Sequence, residues 1–172
     1  MKLALTASLF VTALAAQSNS KGPLVATSQV LYGMAKNNIL RSADKIPENL
    51  WSFQPTPEVR TIGQLFAHIA DGQYEFCGVV SEGKMVDKGI EKSATTKADI
   101  VAALKEAFAY CDAAYAKLTD AGAAEMVSFF GRQGTRIGVL DFNITHTYEH
   151  YGNLVTYMRI KGIVPPSSER RQ

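Results

Sequence analysis

Four long segments whose apolar residues recur at helical spacing are the feature that most constrains this fold. They span residues 24–43, 61–80, 96–118 and 136–161, and no convincing run of alternating strand residues interrupts them. Prolines or glycines separate most of these segments, and a polar connection over residues 81–95 separates the second from the third. We therefore predict an all-α protein, a four-helix bundle with a crossover between helices 2 and 3.

The start of the second helix and the end of the fourth are the best-marked boundaries. Thr61 followed by Gln64 has the spacing of a capping box, in which each side chain bonds the other residue's backbone. Arg159 and Lys161 complement the negative end of the helix dipole, and Gly162 suits a left-handed cap.

Apolar residues mark the faces expected to pack. In the first segment the residues at helical intervals are Val30, Leu31, Met34 and Ile39. Trp51 and Phe53 lie in a proline-punctuated loop, where we expect them to pack over one end of the bundle.

The N-terminus is typical of a secretory signal peptide. Lys2 supplies the positive charge, residues 3–14 are an apolar run too short for a stable membrane span, and small residues precede Gln17. We therefore expect a signal peptide over residues 1–16, a single domain over 17–172 and a periplasmic or secreted protein. No later stretch is long and apolar enough to remain in a membrane.

Composition excludes one function class and leaves one question open. The chain is 47% hydrophobic and 20% charged with a net charge of +2, which makes no electrostatic case for nucleic-acid binding. In an oxidising compartment Cys77 and Cys111 could form a disulfide, or both could be buried free thiols.

The three histidines are the strongest chemical signal. His146 and His150 are four residues apart and project from one helix face, and His68 lies in the second helix. If these helices pack together, three imidazoles could hold a zinc, nickel or similar divalent ion with coordination left for water or substrate. Thr147 stands where a zinc protease helix carries glutamate, so protease chemistry is disfavoured.

Polar residues beside these histidines are candidates for supporting roles. Glu149 is a candidate general base or fourth ligand, and Asp71, Asn153 and Tyr157 are candidates to orient the ligands or contact substrate. Gly72, one turn from His68, would let another backbone or a ligand approach closely. From spacing alone, the histidines could instead be partly buried, hydrogen-bonded residues with no ligand.

The stretch His146-Thr-Tyr-Glu-His150-Tyr-Gly-Asn and its continuation to Pro166 resembles the closing helix of the DinB family. The segment from Trp51 to Asp71 is similar to that family's entry into helix 2. The resemblance implies an up-down-down-up four-helix bundle in which His68, His146 and His150 bind a divalent metal. It also implies relatives that include thiol-dependent transferases and isomerases, and it suggests a homodimer.

These observations favour an exported metal-dependent enzyme acting on a small molecule, either a hydrolase or a thiol-dependent transferase. Thiol transfer would need a cationic group for the carboxylates of the thiol, and Arg132 or Arg136 could serve. Reduced thiol cofactors are not expected outside the cytoplasm, which weighs against that reaction in an exported protein. The alternatives are a non-catalytic bundle that binds metal or a small ligand, and a structural dimer with incidental histidines.

Overall fold

The computed structural model describes residues 22–169, most of which are helical. The expected signal peptide, residues 1–16, lies outside the described residues. In chain order the elements are α1 (Pro23–Lys45), α2 (Ile62–Glu82), α3 (Ile90–Ser93), α4 (Lys97–Lys117), α5 (Asp120–Ala123), β1 (Met126–Phe129), β2 (Arg132–Thr135) and α6 (Arg136–Ile160). Single 3₁₀ turns lie at Glu48–Leu50 and Pro166–Ser168. Within this range no helix is both long and apolar enough to cross a membrane.

The predominantly helical class is confirmed, and each predicted segment corresponds to a long helix, α1, α2, α4 and α6. The capping box that opens α2 is present, because Thr61 and Gln64 exchange both side-chain-to-backbone hydrogen bonds. Gly162 adopts the expected left-handed conformation, with φ +71°. The sequence analysis missed the antiparallel β1–β2 hairpin, whose two four-residue strands pair Val127 with Gly134. Strands this short are too brief to show a reliable alternation.

Helix α1 packs against α4 and α6. The ammonium of Lys97, the first residue of α4, donates to the carbonyl of Ile46 just beyond the end of α1, so these helices run in opposite directions. Ser28 bonds Asp141 near the N-terminal ends of α1 and α6, so this pair runs in the same direction.

Helix α2 also packs against α4 and α6. Cys77 and Cys111 are in contact, and both lie in the C-terminal halves of their helices, α2 and α4. These two helices therefore run in the same direction. Phe76, late in α2, meets Phe142, early in α6, so this pair is antiparallel. The antiparallel α2–α6 pair carries the histidines.

The two cysteines form a disulfide between α2 and α4. Their Cα atoms are 5.3 Å apart, within the range that a disulfide spans, and both residues are fully buried. The structure thus decides between the two alternatives that the sequence left open.

The apolar face expected for α1 is wrong for three of its four residues. Ile39 is buried, but Val30, Leu31 and Met34 are exposed. The buried face instead carries Val25, Ser28, Tyr32, Ala35, Ile39, Ser42 and Ala43. Small side chains let α1 approach its neighbours closely, and a hydropathy pattern does not register serine and alanine as a core face.

The loop after α1 covers one end of α2. Trp51 is buried and stacks on Phe66 with ring centroids 5.0 Å apart, while its indole N–H donates to the carbonyl of Ile46. Phe53 meets Tyr157 of α6 edge to face at 6.0 Å. This packing agrees with the expectation for both aromatic residues.

Candidate metal centre

The three histidines converge between α2 and α6. The Nε2 atom of His146 lies 3.1 Å from Nε2 of His68 and 3.1 Å from Nε2 of His150. Candidate ligand atoms of all three residues lie within 4.8 Å of one another. One imidazole comes from α2 and two come from successive turns of α6, so the arrangement depends on the packing of these two helices.

These distances suit a shared ion. Two nitrogens that each lie about 2.0–2.1 Å from a tetrahedral Zn²⁺ are separated by about 3.3 Å. The observed separations of 3.1 Å are close to that value, and the donors are all imidazole nitrogens. The three histidines therefore could hold a metal ion.

Gly72 makes room for the His146 ring. A Cβ atom at this position would lie 2.8 Å from Cε1 and 3.0 Å from Nδ1 of His146, closer than real Cβ contacts come. The close approach expected at Gly72 is therefore made by a histidine ring rather than by backbone. Any larger residue at position 72 would push His146 away from His68.

The surroundings keep two of the imidazoles neutral. Burial, followed by the neighbouring histidines, lowers the pKa of His146 to about 3. Burial and His68 likewise lower the pKa of His150 to about 4, although Glu149 and Glu91 act in the opposite direction. A neutral imidazole has a lone pair to donate, so both residues are in the form that binds a metal.

Glu91 orients His68. Its Oε2 lies 3.0 Å from Nδ1 of His68, and Nε of Arg60 donates to its Oε1 at 2.8 Å. Burial opposes ionisation of Glu91, but the hydrogen bond and charge of Arg60, with help from His68, lower its pKa. When Glu91 accepts from the Nδ1–H of His68, the Nε2 of His68 faces the other histidines and is the ring nitrogen left to bind a metal.

The sequence analysis did not find Glu91, because it treated residues 81–95 as a polar connection. Asp71, which it did name, acts one step further away. The Asp71 carboxylate accepts from the backbone N–H groups of Ile90 (2.8 Å) and Glu91 (2.9 Å) and so fixes the start of α3. Asp71 thereby places Glu91 beside His68 instead of touching a histidine itself.

The other named polar residues lie outside this cluster. Glu149 and Asn153 are exposed on α6, and the ligand cluster among the described residues contains only the three histidines. Glu149 acts on His150 through its charge. Tyr157 is buried against Phe53, two turns of α6 beyond His150.

The two arginines near the start of α6 have different settings. Arg136 pairs with Glu125 at 3.0 Å. Arg132 lines a surface groove of about 460 Å³ on the hairpin together with Phe129 and Phe130. Arg132 therefore faces a space that a small molecule could enter, whereas Arg136 is held by Glu125.

The fold and the site together define a class: a mainly helical protein whose candidate metal centre takes three imidazoles from two antiparallel helices. The sequence profile of the DinB superfamily matches residues 32–154, a range that includes all three histidines. The chain belongs to the DinB superfamily, as its resemblance predicted. No functionally curated protein matches it.

Solved structures show the same fold. A DinB-like protein from Bacillus subtilis is 23% identical, and the match covers 88% of this chain and 100% of that chain with a TM-score of 0.68. A DinB-like protein from Bacillus cereus is 18% identical over 82% of this chain and 95% of that chain, with a TM-score of 0.70. The mycothiol-dependent maleylpyruvate isomerase is 14% identical, and the match covers 76% of this chain and 60% of that chain with a TM-score of 0.66.

Proposed function

We propose that this protein is an exported, divalent-metal-dependent enzyme that acts on a small molecule. The observation that carries the proposal is the meeting of three Nε2 atoms from α2 and α6, with the His146 atom 3.1 Å from each of the other two. Zinc and nickel suit an all-imidazole donor set best. His68, His146 and His150 would hold the ion, with Glu91 orienting the first of them.

The proposed architecture is the up-down-down-up four-helix bundle of the resemblance. The helix directions support it: α1 opposes α4 and parallels α6, while α2 parallels α4 and opposes α6. Export through a signal peptide over residues 1–16 and assembly as a homodimer also belong to the proposal.

An ion held by three imidazoles supplies Lewis acidity that activates water or a thiol at neutral pH. The protein's own residues would exclude water on one side and leave the other open. Phe76 packs edge-on to His146 at 5.2 Å, whereas the His68 side chain keeps 26% of its surface exposed. A small molecule would reach the ion from the solvent-exposed side, which Phe76 does not cover.

Two reactions fit this arrangement, hydrolysis and thiol-dependent transfer. Hydrolysis suits an exported protein, and carboxylates are available near the ligands. Glu149 lies beside His150, and burial followed by Asp71 raises the pKa of Glu75 on α2. Thiol transfer is favoured by the likeness to a mycothiol-dependent isomerase and by the groove at Arg132.

The metal site can be tested without ambiguity because the chain has three histidines and all of them lie in the cluster. Untagged protein should contain about one divalent ion per chain by elemental analysis, and His68→Ala, His146→Ala and His150→Ala should each lose it. Glu149→Gln, which alters an exposed neighbour, is the matched control and should retain the ion. Metal-free wild-type protein that also fails to take up Zn²⁺ or Ni²⁺ would refute the proposal.

Catalysis is tested separately from binding. Metal-loaded protein should turn over a member of an ester, amide or thiol-acceptor panel, and His68→Ala should abolish that turnover. Stoichiometric metal without turnover on any panel would favour the alternative, a non-catalytic bundle that binds metal or a small ligand.

A further inference from the structure

Aromatic rings continue the line of histidines between α2 and α6. Phe76 lies two turns after His68 on α2, and Phe142 lies one turn before His146 on α6. The Phe76 ring contacts both His146 and Phe142, each with a centroid distance of 5.2 Å and a nearly perpendicular plane. The rings between these two helices therefore change from imidazole to phenyl within about one helical turn.

The β1–β2 hairpin extends this aromatic surface. Phe129 lies 5.2 Å and Phe130 lies 5.8 Å from Phe142, centroid to centroid. Phe130 is 61% exposed and Phe142 is 41% exposed, so their outer faces are free of protein within the described residues. Phe76, in contrast, is buried and forms the floor that joins this surface to His146.

Phe130 occupies a conformation that phenylalanine rarely adopts. With Gly131 it forms the two-residue loop of the hairpin, and both residues have positive φ values, +48° and +73°. Asparagine and glycine adopt this left-handed conformation readily, whereas a bulky residue adopts it at an energetic cost. An exposed aromatic ring at a strained position next to a candidate site points to use of that ring by a ligand.

We propose that the exposed faces of Phe130 and Phe142 bind an aromatic ring of the small molecule whose reacting group lies at the three histidines. This inference rests on the proposed function and adds the substrate class, a small aromatic compound. Its physical basis is continuity, because the Phe76 ring connects the phenyl surface to a metal ligand. Offset or edge-to-face ring contacts contribute specificity beyond the apolar area that they bury.

Two hydroxamates that differ only in their substituent provide the probes, since the hydroxamate group binds a divalent ion in either. Titration calorimetry on Zn²⁺-loaded protein should show that benzohydroxamate binds about tenfold more tightly than acetohydroxamate. The ratio of the two affinities, compared between variants, cancels the contribution of the hydroxamate–metal contact.

Phe130→Asn is the decisive variant because asparagine before Gly131 suits the hairpin turn better than phenylalanine does. The fold should therefore be retained while the affinity ratio falls to a few-fold or less, and Phe142→Ala should have the same effect. Acetohydroxamate affinity should stay unchanged in both variants. Ile160→Asn, an exposed apolar position at the far end of α6, is the matched control and should keep the wild-type ratio.

An equal ratio in wild type and Phe130→Asn overturns the inference, and so does Zn²⁺ uptake without hydroxamate binding. A failure of metal loading would instead refute the proposed function, and binding to the aromatic surface is then tested on metal-free protein. In that sample, benzyl alcohol should shift the backbone amide NMR signals of Phe130, Phe142 and His146. Absence of those shifts overturns the aromatic surface whatever the metal result.

Discussion

Two neighbouring polar layers lie between α2 and α6, and they differ in whether their side chains satisfy one another's hydrogen-bonding groups. In the first, the Gln73 and Asn143 amides exchange two hydrogen bonds (2.8 and 3.0 Å), and Gln73 also donates to the Thr147 hydroxyl. All three residues are essentially inaccessible to solvent. This amide layer satisfies itself, as a buried structural network must.

The second layer contains the histidines, five residues before Gln73 on α2 and three residues after Asn143 and Thr147 on α6, and it does not satisfy its own hydrogen bonds. Its three Nε2 atoms face one another, and each nitrogen carries either a proton or a lone pair, so His146 cannot both donate to one neighbour and accept from the other. Within residues 22–169 the Nδ1 atoms of His146 and His150 are buried without a hydrogen-bond partner. The comparison teaches that the amide layer serves the fold, whereas the histidine layer leaves imidazole nitrogens that could hold a metal ion.

The largest expected effect is a loss of Zn²⁺ affinity when a residue of the histidine layer is replaced. His146→Ala removes the central ligand, so the affinity for Zn²⁺ should fall by more than the roughly 10–100-fold that outer partners contribute. Competition with a chromophoric chelator measures this change. Unaltered affinity in His146→Ala would place the metal elsewhere and end the distinction between the layers.

The reverse effect is expected in the amide layer. Gln73→Ala leaves the Asn143 amide without its partner in a dry environment, so the free energy of unfolding should fall by about 2–3 kcal/mol. Urea denaturation of metal-free protein measures this loss, with Thr156→Ala on the exposed face of α6 as the control. Once the variant is folded, its zinc affinity should match that of the wild type. A large loss of affinity would mean that the two layers are one unit.

Glu91→Gln sharpens the comparison within the histidine layer. Glutamine can still accept from His68 but lacks the negative charge, so zinc affinity should fall about tenfold. The same chelator competition measures it, and Glu149→Gln serves as the charge-matched control with no expected change. Equal effects of the two substitutions would show a general loss of negative charge rather than orientation of His68.

The smallest expected effect is a pH dependence of the metal-free protein. The pKa values of His146 and His150 are lowered to about 3 and 4, so the unfolded chain binds more protons than the folded one below its ordinary histidine pKa of about 6.5. The stability that these neutral histidines contribute is complete above about pH 6.5 and decreases as the pH falls toward about 4. The melting temperature of the wild type should therefore fall when the pH is lowered from about 7 to about 6. This decrease should be smaller than the one that the substitution Gln73→Ala causes. A His146→Ala/His150→Ala protein with the same pH profile would contradict this origin.

Local chemistry was enough to predict much of the fold and part of the site. The Thr61–Gln64 capping box, the Gly162 cap and the proline-bearing loops depend on residues close in sequence, and their structural outcomes match. The i, i+4 spacing of His146 and His150 likewise places both imidazoles on one face of α6 without reference to any other element.

Packing between distant segments decided the rest. The buried face of α1 combines larger residues with serines and alanines, whose role depends on how closely the neighbouring helices approach. Glu91 reaches His68 because Asp71 fixes the start of α3, and the Gln73–Asn143 pair joins residues 70 positions apart. Spacing and periodicity alone predicted a set of helices with histidines on two of them, and only the resemblance to the DinB family predicted that the three would meet. The relative position of α2 and α6, set by side-chain packing over the whole core, turned those histidines into one centre.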